Sequence, residues 1–332
     1  MATISEIAQK ANVSRTLVSR VLNNKPGVSP ANREKILSVI KEYNYVPNGL
    51  ARALVLQKTS TIGVVMDELC QSFFFDLIRG LQDAGEELGY NMLFCSGNNN
   101  IDTKMKYVDY FSQGRTDGII AYGSNLTDEQ IFRSIAEKSK CVLIEGNLPN
   151  CNVNKIQLDN FKGAYLATEH LIHLGYKNIL HISGDMNYDV SLERLNGYVQ
   201  AMHDHKIPLK PNSIIYADYG EDVAYRQMKQ LLDSGLKPDA CFVGADKPAF
   251  GVLRAAMEKG LSFPDDLAVI GFDDDTPDSR NILFPGLTTM RQPLYEMGRT
   301  SVELLVDSIK HPDQEPMTKK FETTLIIRDT CP

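Results

Sequence analysis

From Thr61 to Phe272 the chain alternates short β-branched runs with amphipathic stretches, and it does so twice over. In the first series TIGVVM (61–66), YNMLFC (90–95), DGIIAY (117–122) and CVLIE (141–145) read as strands. Phe75 to Leu88, Lys104 to Gln113 and Glu129 to Lys138 read as the helices between them. The second series opens with a helix from Phe161 to Leu174. NILHIS (178–183), SIIYA (213–217), ACFVG (240–244) and LAVIGF (267–272) are its strands, and Leu192 to His205, Ala224 to Asp233 and Phe250 to Lys259 its helices. Near-continuous apolar runs suit strands covered on both faces, so the pattern predicts parallel, doubly wound sheets with helices on either side. Two such layers in succession imply an α/β body of two lobes with a cleft between. Ligands of open parallel sheets sit outside the carboxyl ends of the strands.

The first sixty residues follow a different period. Thr3 and Glu6 form a T-x-x-E capping box ahead of Ile4, Ile7, Ala8 and Ala11, which predicts a helix to about Lys10. Asn12 supplies a turn, and Ser14 caps a second helix to about Asn23. Leu17, Val18, Val21 and Leu22 point inward there, leaving Arg15, Thr16, Ser19 and Arg20 outward. Ser29 caps a third helix with Pro30 at its first position, and Ile36, Leu37, Ile40 and Tyr43 are expected to close the small core. Two short helices, the second with a polar and basic outer face, form the helix-turn-helix pattern of a DNA-binding head. A helical hairpin inside a larger fold would leave the same trace.

Charge favours the DNA-binding head. Residues 1–58 carry nine bases against three acids, a surplus of six positive charges. The whole chain is −7, which leaves −13 on the rest. A basic head on an acidic body suits a module that neutralises phosphates.

VSRTLVSRVLN, VSPANREKI and YNYVPNGLARAL, kept in this order and spacing, resemble the head of the lactose-repressor/galactose-repressor family of bacterial transcription regulators. LDNFKGAYLATEHLIHLGYKNILHISG, RLNGY, the Asp246–Gly251 run and LAVIGFDD with LTTMRQP resemble the periplasmic-binding-protein-like body of the same family. The resemblance implies a helix-turn-helix domain over 1–47, a hinge over 48–59 and a two-lobed effector and dimerisation domain over 60–332. The chain is expected to cross between lobes near 160, 288 and 322, giving lobe 1 residues 60–160 and 289–321 and lobe 2 residues 161–288 and 322–332. The helix from Leu294 to Ile309 would return to lobe 1.

The resemblance also implies roles. Arg15, Thr16 and Arg20 would read or flank base edges, and Thr3, Ser5, Ser14, Ser19, Ser29 and Asn32 would hold phosphates. Asn23, Tyr45, Asn48 and Ala51 join the expected DNA contacts. In the hinge, Leu54 matches an apolar wedge that kinks a base step in the minor groove. Leu17 stands where the family usually has a threonine, which is expected to weaken one phosphate contact. In the cleft, Arg194 matches an effector-gripping arginine whose rigid fork suits vicinal oxygens or a phosphate. Asp273 matches an acceptor of ligand hydroxyls, and Phe73, Phe74 and Tyr219 match aromatics facing a ring. Glu145 replaces the usual aspartate. Asp246 keeps a motif aspartate, while Ala245 replaces a common asparagine.

The expected protein is a homodimeric, ligand-controlled repressor of a carbohydrate operon, binding double-stranded operator DNA and a sugar or sugar phosphate. A nucleoside or purine effector, or a protein co-regulator, is the alternative, with a cytosolic sugar-binding protein or sugar enzyme ranked below. The sequence shows no Walker loop, G-x-G-x-x-G or G-x-S-x-G, so no enzyme and no cofactor are expected. With no membrane-length apolar run and a helix cap already at Thr3, a cytoplasmic location is expected. The six cysteines, at 70, 95, 141, 151, 241 and 331, form no C-x-x-C pair and read as reduced thiols. His170-x-x-His173 and His203-x-His205 read as helix surface, and no metal is expected.

Overall fold

A computed structural model of the chain describes residues 3–45, 58–123, 125, 128–146, 152–275 and 284–332. The expected hinge contacts Asn48, Ala51 and Leu54 lie outside the described residues. Two compact units divide the chain between Thr59 and Ser60.

The head consists of α1 (Ile4–Lys10), α2 (Arg15–Leu22) and α3 (Pro30–Glu42). Each begins where a side chain satisfies an orphan backbone donor. The Thr3 amide donates to Glu6 Oε2 at 2.7 Å and the Glu6 amide donates back to Thr3 Oγ1 at 3.3 Å. Ser14 Oγ accepts from the Leu17 amide and Ser29 Oγ from the Asn32 amide. Asn12 makes the turn between α1 and α2 in the left-handed region, at φ 49°, where asparagine is tolerated. Ile7, Ala8, Ala11, Val18, Val21, Ile36 and Val39 form the core. Two expected members are displaced. Leu37 is 49% exposed and Tyr43 37% exposed, because the stripe that faces α1 and α2 passes through Ile36, Val39 and Ile40. Tyr43 instead lies under the Lys10 ammonium, 5.7 Å from the ring centroid. Leu17 and Leu22 are half-buried.

The body holds two six-stranded sheets. The first has the order β11-β5-β4-β3-β1-β2, with β1 Thr61–Met66, β2 Asn91–Ser96, β3 Gly118–Tyr122, β4 Cys141–Ile144, β5 Asn154–Leu158 and β11 Thr318–Phe321. The second has the order β12-β10-β9-β8-β6-β7, with β6 Ile179–Ile182, β7 Ile214–Ile215, β8 Ala240–Val243, β9 Ala268–Asp273, β10 Thr288–Arg291 and β12 Thr324–Ile326. Every pairing is parallel except β10 with β12. Both sheets are therefore doubly wound, one per lobe.

The chain passes from the first sheet to the second after β5, returns after β10, and passes again between β11 and β12. The return is a correction to the expected crossing near 288. β10 (Thr288–Arg291) pairs with β9 (Thr288 opposite Ile270), so residues 288–291 belong to lobe 2 and the crossing falls at Gln292 and Pro293. Helix Leu294–Lys310 then packs on helix Phe75–Leu88 in lobe 1. Their backbones meet at Gly298, where a Cβ would stand 2.4 Å from the Leu77 carbonyl oxygen. The helices expected to start at Lys104, Leu192 and Phe250 begin earlier, at Ile101, Asp189 and Asp246.

Candidate functional site

The head offers a polar surface built on helix starts. Arg15, Thr16 and Arg20 are exposed along α2, with half-buried Ser19 and Asn23 beside them. Asn23 Nδ2 donates to the Ser19 carbonyl at 2.8 Å, so this side chain is fixed before any base is met. The hydroxyls of Ser14 and Ser29 are exposed and accept from their cap amides, and an accepting hydroxyl keeps its own proton to donate. Thr3 differs: its hydroxyl also donates to Glu6 Oε2 at 3.1 Å, so gripping a phosphate would compete with its own capping box. Ser5 is exposed, Asn32 is half-buried, and Tyr45 packs against the head core.

The body's strand ends enclose a cavity of about 360 Å³ between the lobes. Lobe 1 contributes Asp67, Glu68, Gln71, Phe73, Phe74, Asn99 and Tyr122; lobe 2 contributes Asp185, Tyr188, Val190, Arg194, Asp218, Tyr219, Gly220, Ala245, Lys247, Asp273 and Asp275. Of the expected effector residues, Phe73, Phe74, Arg194, Tyr219 and Asp273 line it. Arg194 is 5% exposed, stacked 3.8 Å above the Phe272 ring centroid. Its Nε donates to Asn160 Oδ1 at 2.9 Å, and its Nη1 donates to the Gly244 carbonyl at 2.6 Å and to Asp273 Oδ1 at 3.3 Å. Gln292 Nε2, in the return crossing, donates to the same Asp273 oxygen at 2.7 Å. Tyr219 shares a 2.6 Å hydrogen bond with Ser191 Oγ and meets Tyr188 edge to face. Tyr188 in turn donates to Asn99 Oδ1 at 3.5 Å, touching the opposite lobe.

Glu145 and Asp246 are not among the lining residues, which corrects the expectation for both. Glu145 is buried, and its carboxylate accepts from the Leu158 amide at 2.6 Å and from Asn160 Nδ2 at 3.0 Å. It ties the end of β4 to the first crossing. Asp246 is fully buried at the start of helix Asp246–Glu258, accepting from Thr289 Oγ1 at 2.6 Å and from the Asp275 amide at 2.8 Å. Asp274 is likewise structural, held by Arg291 and Arg328 at 2.6 Å each. Asn160 thus joins Glu145 to Arg194, and Arg194 joins Asp273, in one chain of hydrogen bonds across the base of the cleft.

Burial pushes the carboxyls of Glu145 and Asp273 up to about 7, against the opposing pull of their amide and guanidinium donors. Asp246 is driven up in the same way. A carboxyl raised in the fold holds its proton more tightly than in the unfolded chain. Its stabilisation is complete below the unfolded value near 4 and is lost as pH rises through 7. Buried His181 works with the opposite sign: burial lowers it to about 4, so its contribution is lost as pH falls below 6.5. A mutant difference isolates the carboxyl. The stability of Glu145→Gln relative to the parent is expected to improve by on the order of 3 kcal/mol between pH 4.5 and 8 in urea titrations. A difference that stays flat across this range would show that Glu145 does not titrate there.

Asp67, Glu68, Asn99, Tyr122, Asp185 and Asp218 were not singled out in the sequence, although each ends a strand or lies within three residues after one. The rule placing ligands at carboxyl ends of strands would have found them. Asp67 is joined with Asp128 to the buried Lys104 ammonium. The histidine pairs do not remain separate: His173 and His205 meet, ring centroids 5.4 Å apart, with Glu169 beside them. Glu169 stands one helical turn before His173, a ligand spacing that was legible and was passed over.

Residues 3–48 match the profile of bacterial regulatory proteins of the lacI family, and residues 168–331 that of a periplasmic binding protein-like domain. Catabolite control protein A of Priestia megaterium is 32% identical over 305 residues, covering 91% of each chain. HTH-type transcriptional repressor PurR of Vibrio atlanticus (strain LGP32) is 31% identical over 332 residues, covering 99% of this chain and 98% of that one. A crystal structure of the lac repressor dimer bound to operator and the anti-inducer ONPF superposes with a TM-score of 0.87 at 26% identity, covering 99% of this chain and 98% of that one.

Proposed function

Because the chain belongs to the lacI family of bacterial regulatory proteins, we propose that its cleft binds an uncharged sugar whose occupancy sets the affinity of a homodimer for operator DNA. The chain is a DNA-binding transcriptional repressor and not an enzyme. The dimer rests on the likeness to the lac repressor dimer on its operator. Arg15, Thr16 and Arg20 are the base-reading candidates, the cap hydroxyls of Ser14 and Ser29 the phosphate holders, and Leu54 the hinge wedge. A repressor of this kind works in the cytoplasm.

The observation that carries the effector class is the cleft's charge. Among the described residues, Asp67, Glu68, Asp185, Asp218, Asp273 and Asp275 face only Arg194 and Lys247 as lining cations. Asp67 is already paired with Lys104, and Arg194 with Asp273. A phosphate dianion brought into this wall meets repulsion in a low-dielectric site, whereas hydroxyls find carboxylate acceptors. Phe73, Phe74, Tyr122, Tyr188 and Tyr219 supply faces for the apolar side of a sugar ring. Control of DNA follows only if the sugar favours one lobe arrangement over another.

Thermal-shift and calorimetric titrations against neutral sugars, sugar phosphates and purines test this. A neutral sugar at a hundred times its Kd should stabilise the protein by about 2.7 kcal/mol and change operator affinity, and Asp273→Ala should abolish the shift. A response confined to phosphorylated sugars or to a purine would overturn the uncharged-sugar reading while leaving the repressor intact.

A further inference from the structure

Among the described residues outside the cleft, one cluster has the donor set of a metal site. Helix Asn160–His173 carries Glu169 and His173 one turn apart on the same face. Helix Asp189–Asp204 packs against it and is capped at its C-terminal end by His205. Glu169 Oε1 lies 3.2 Å from His205 Nε2. One donor atom from each of Glu169, His173 and His205 lies within 4.8 Å of the others. We propose that these three side chains form a transition-metal site, matched best by zinc, on the outer surface of lobe 2. It is independent of the effector reading.

Geometry supports this first. Tetrahedral zinc with bonds of 2.0–2.1 Å separates its ligand atoms by about 3.4 Å. The Glu169–His205 pair already stands at that spacing, and the donor atom of the exposed His173 lies within 4.8 Å of both. Glu169 and His205 are each about one quarter exposed, 26% and 27%, so solvent reaches the site and water can fill the fourth position. Two imidazoles and one carboxylate suit zinc and its divalent neighbours, and disfavour magnesium or calcium, which take oxygen ligands.

The surroundings supply a second, separate reason. His173 ends one helix and His205 caps the other, so the negative ends of both helix dipoles converge on the cluster. Asp204 is the neighbour of His205 along the chain. It accepts from Gln200 Nε2 at 2.7 Å and faces the His203 ring at 3.3 Å. The ion would pin the distal ends of two helices whose near ends carry Asn160 and Arg194. The length of helix Asn160–His173 sets it about 20 Å from the cleft.

Calorimetric titration of the full chain with zinc chloride at pH 7.5 tests the assignment, with cobalt(II) absorption as a probe of coordination geometry. One ion per chain is expected, with affinity falling at least about tenfold in His173→Ala and in His205→Ala. A chelator should lower the melting temperature of the parent and leave the double variant unchanged. Because these side chains are at the surface, the variants should melt as the metal-free parent does. Absence of saturable uptake overturns the proposal. So does uptake that persists in the double variant and disappears in Cys70→Ser, which would assign the ion to the exposed thiol.

Discussion

Val18→Asp will abolish operator binding and leave effector binding in the body unchanged. Val18 is fully buried in a core of only seven buried residues, shared with Ile7, Ala8, Ala11, Val21, Ile36 and Val39. The side chains around it are apolar, so the carboxylate must stay charged in an apolar pocket, take up a proton, or drive the helices apart. The cost is more than about 4 kcal/mol. A single core in so small a unit supplies only about 3–5 kcal/mol of stability. The head should therefore unfold. The body is a separate compact unit with its own large cores, and it should keep its melting transition and its ligand response. Gel-shift titration with operator, paired with calorimetric effector binding, reads both halves. Retained operator binding would mean that α2 does not pack as described, and lost effector binding would mean that the units are not independent.

The same distinction between core and surface explains what the sequence made legible. The head was readable because three cap residues punctuate a 3.6-residue period. Leu37 and Tyr43 failed as core members, since α3 carries two overlapping apolar stripes and packing selects the one through Ile36, Val39 and Ile40. Central strands such as TIGVVM and ACFV announce themselves by being apolar on both faces. NKIQL of β5, TTMR of β10, TKKF of β11 and TLI of β12 did not, although they decide where the chain crosses between lobes. β11 and β12 are edge strands, where lysine and threonine discourage further pairing and erase the hydrophobic signal.

In the cleft, Arg194 and Asp273 were identified through resemblance, and the structure brings them together. Glu145 and Asp246 occupy equally suggestive strand ends yet turn their oxygens toward backbone and side-chain donors inside the protein. No local pattern separates a carboxylate aimed at a ligand from one aimed at an amide, because the difference lies in partners distant along the chain. The zinc candidate divides in the same way. Glu169 and His173 are visible as a helical pair, whereas His205 joins them only because two helices pack side by side.

Arg194→Ala should be the most damaging single change in the body. The guanidinium is 5% exposed and holds three acceptors from separate elements: Asn160 Oδ1, the Gly244 carbonyl and Asp273 Oδ1. Its removal takes the guanidinium donor from Asn160 Oδ1 and the Gly244 carbonyl, leaves Asp273 Oδ1 only its bond from Gln292, opens space above Phe272 and withdraws the positive charge that holds down the carboxyls of Asp273 and Glu145. Breaking a buried pair by deleting one partner costs about 3–5 kcal/mol. The carboxyls can limit that loss by taking up protons, so the damage should be smaller at pH 5 than at pH 8. Arg194→Lys keeps the charge and loses the fork that reaches Asn160 and Gly244 together, so it should fall between parent and alanine variant. Effector affinity should drop by at least about a hundredfold, corresponding to roughly 2.7 kcal/mol, even under conditions where the variant remains folded. Urea titrations at both pH values, with effector calorimetry on the folded variants, separate structural from binding loss. If Arg194→Ala melts within about 1 kcal/mol of the parent, the hydrogen-bonded chain from Glu145 through Asn160 and Arg194 to Asp273 does not hold the lobes. The arginine would then serve the ligand alone.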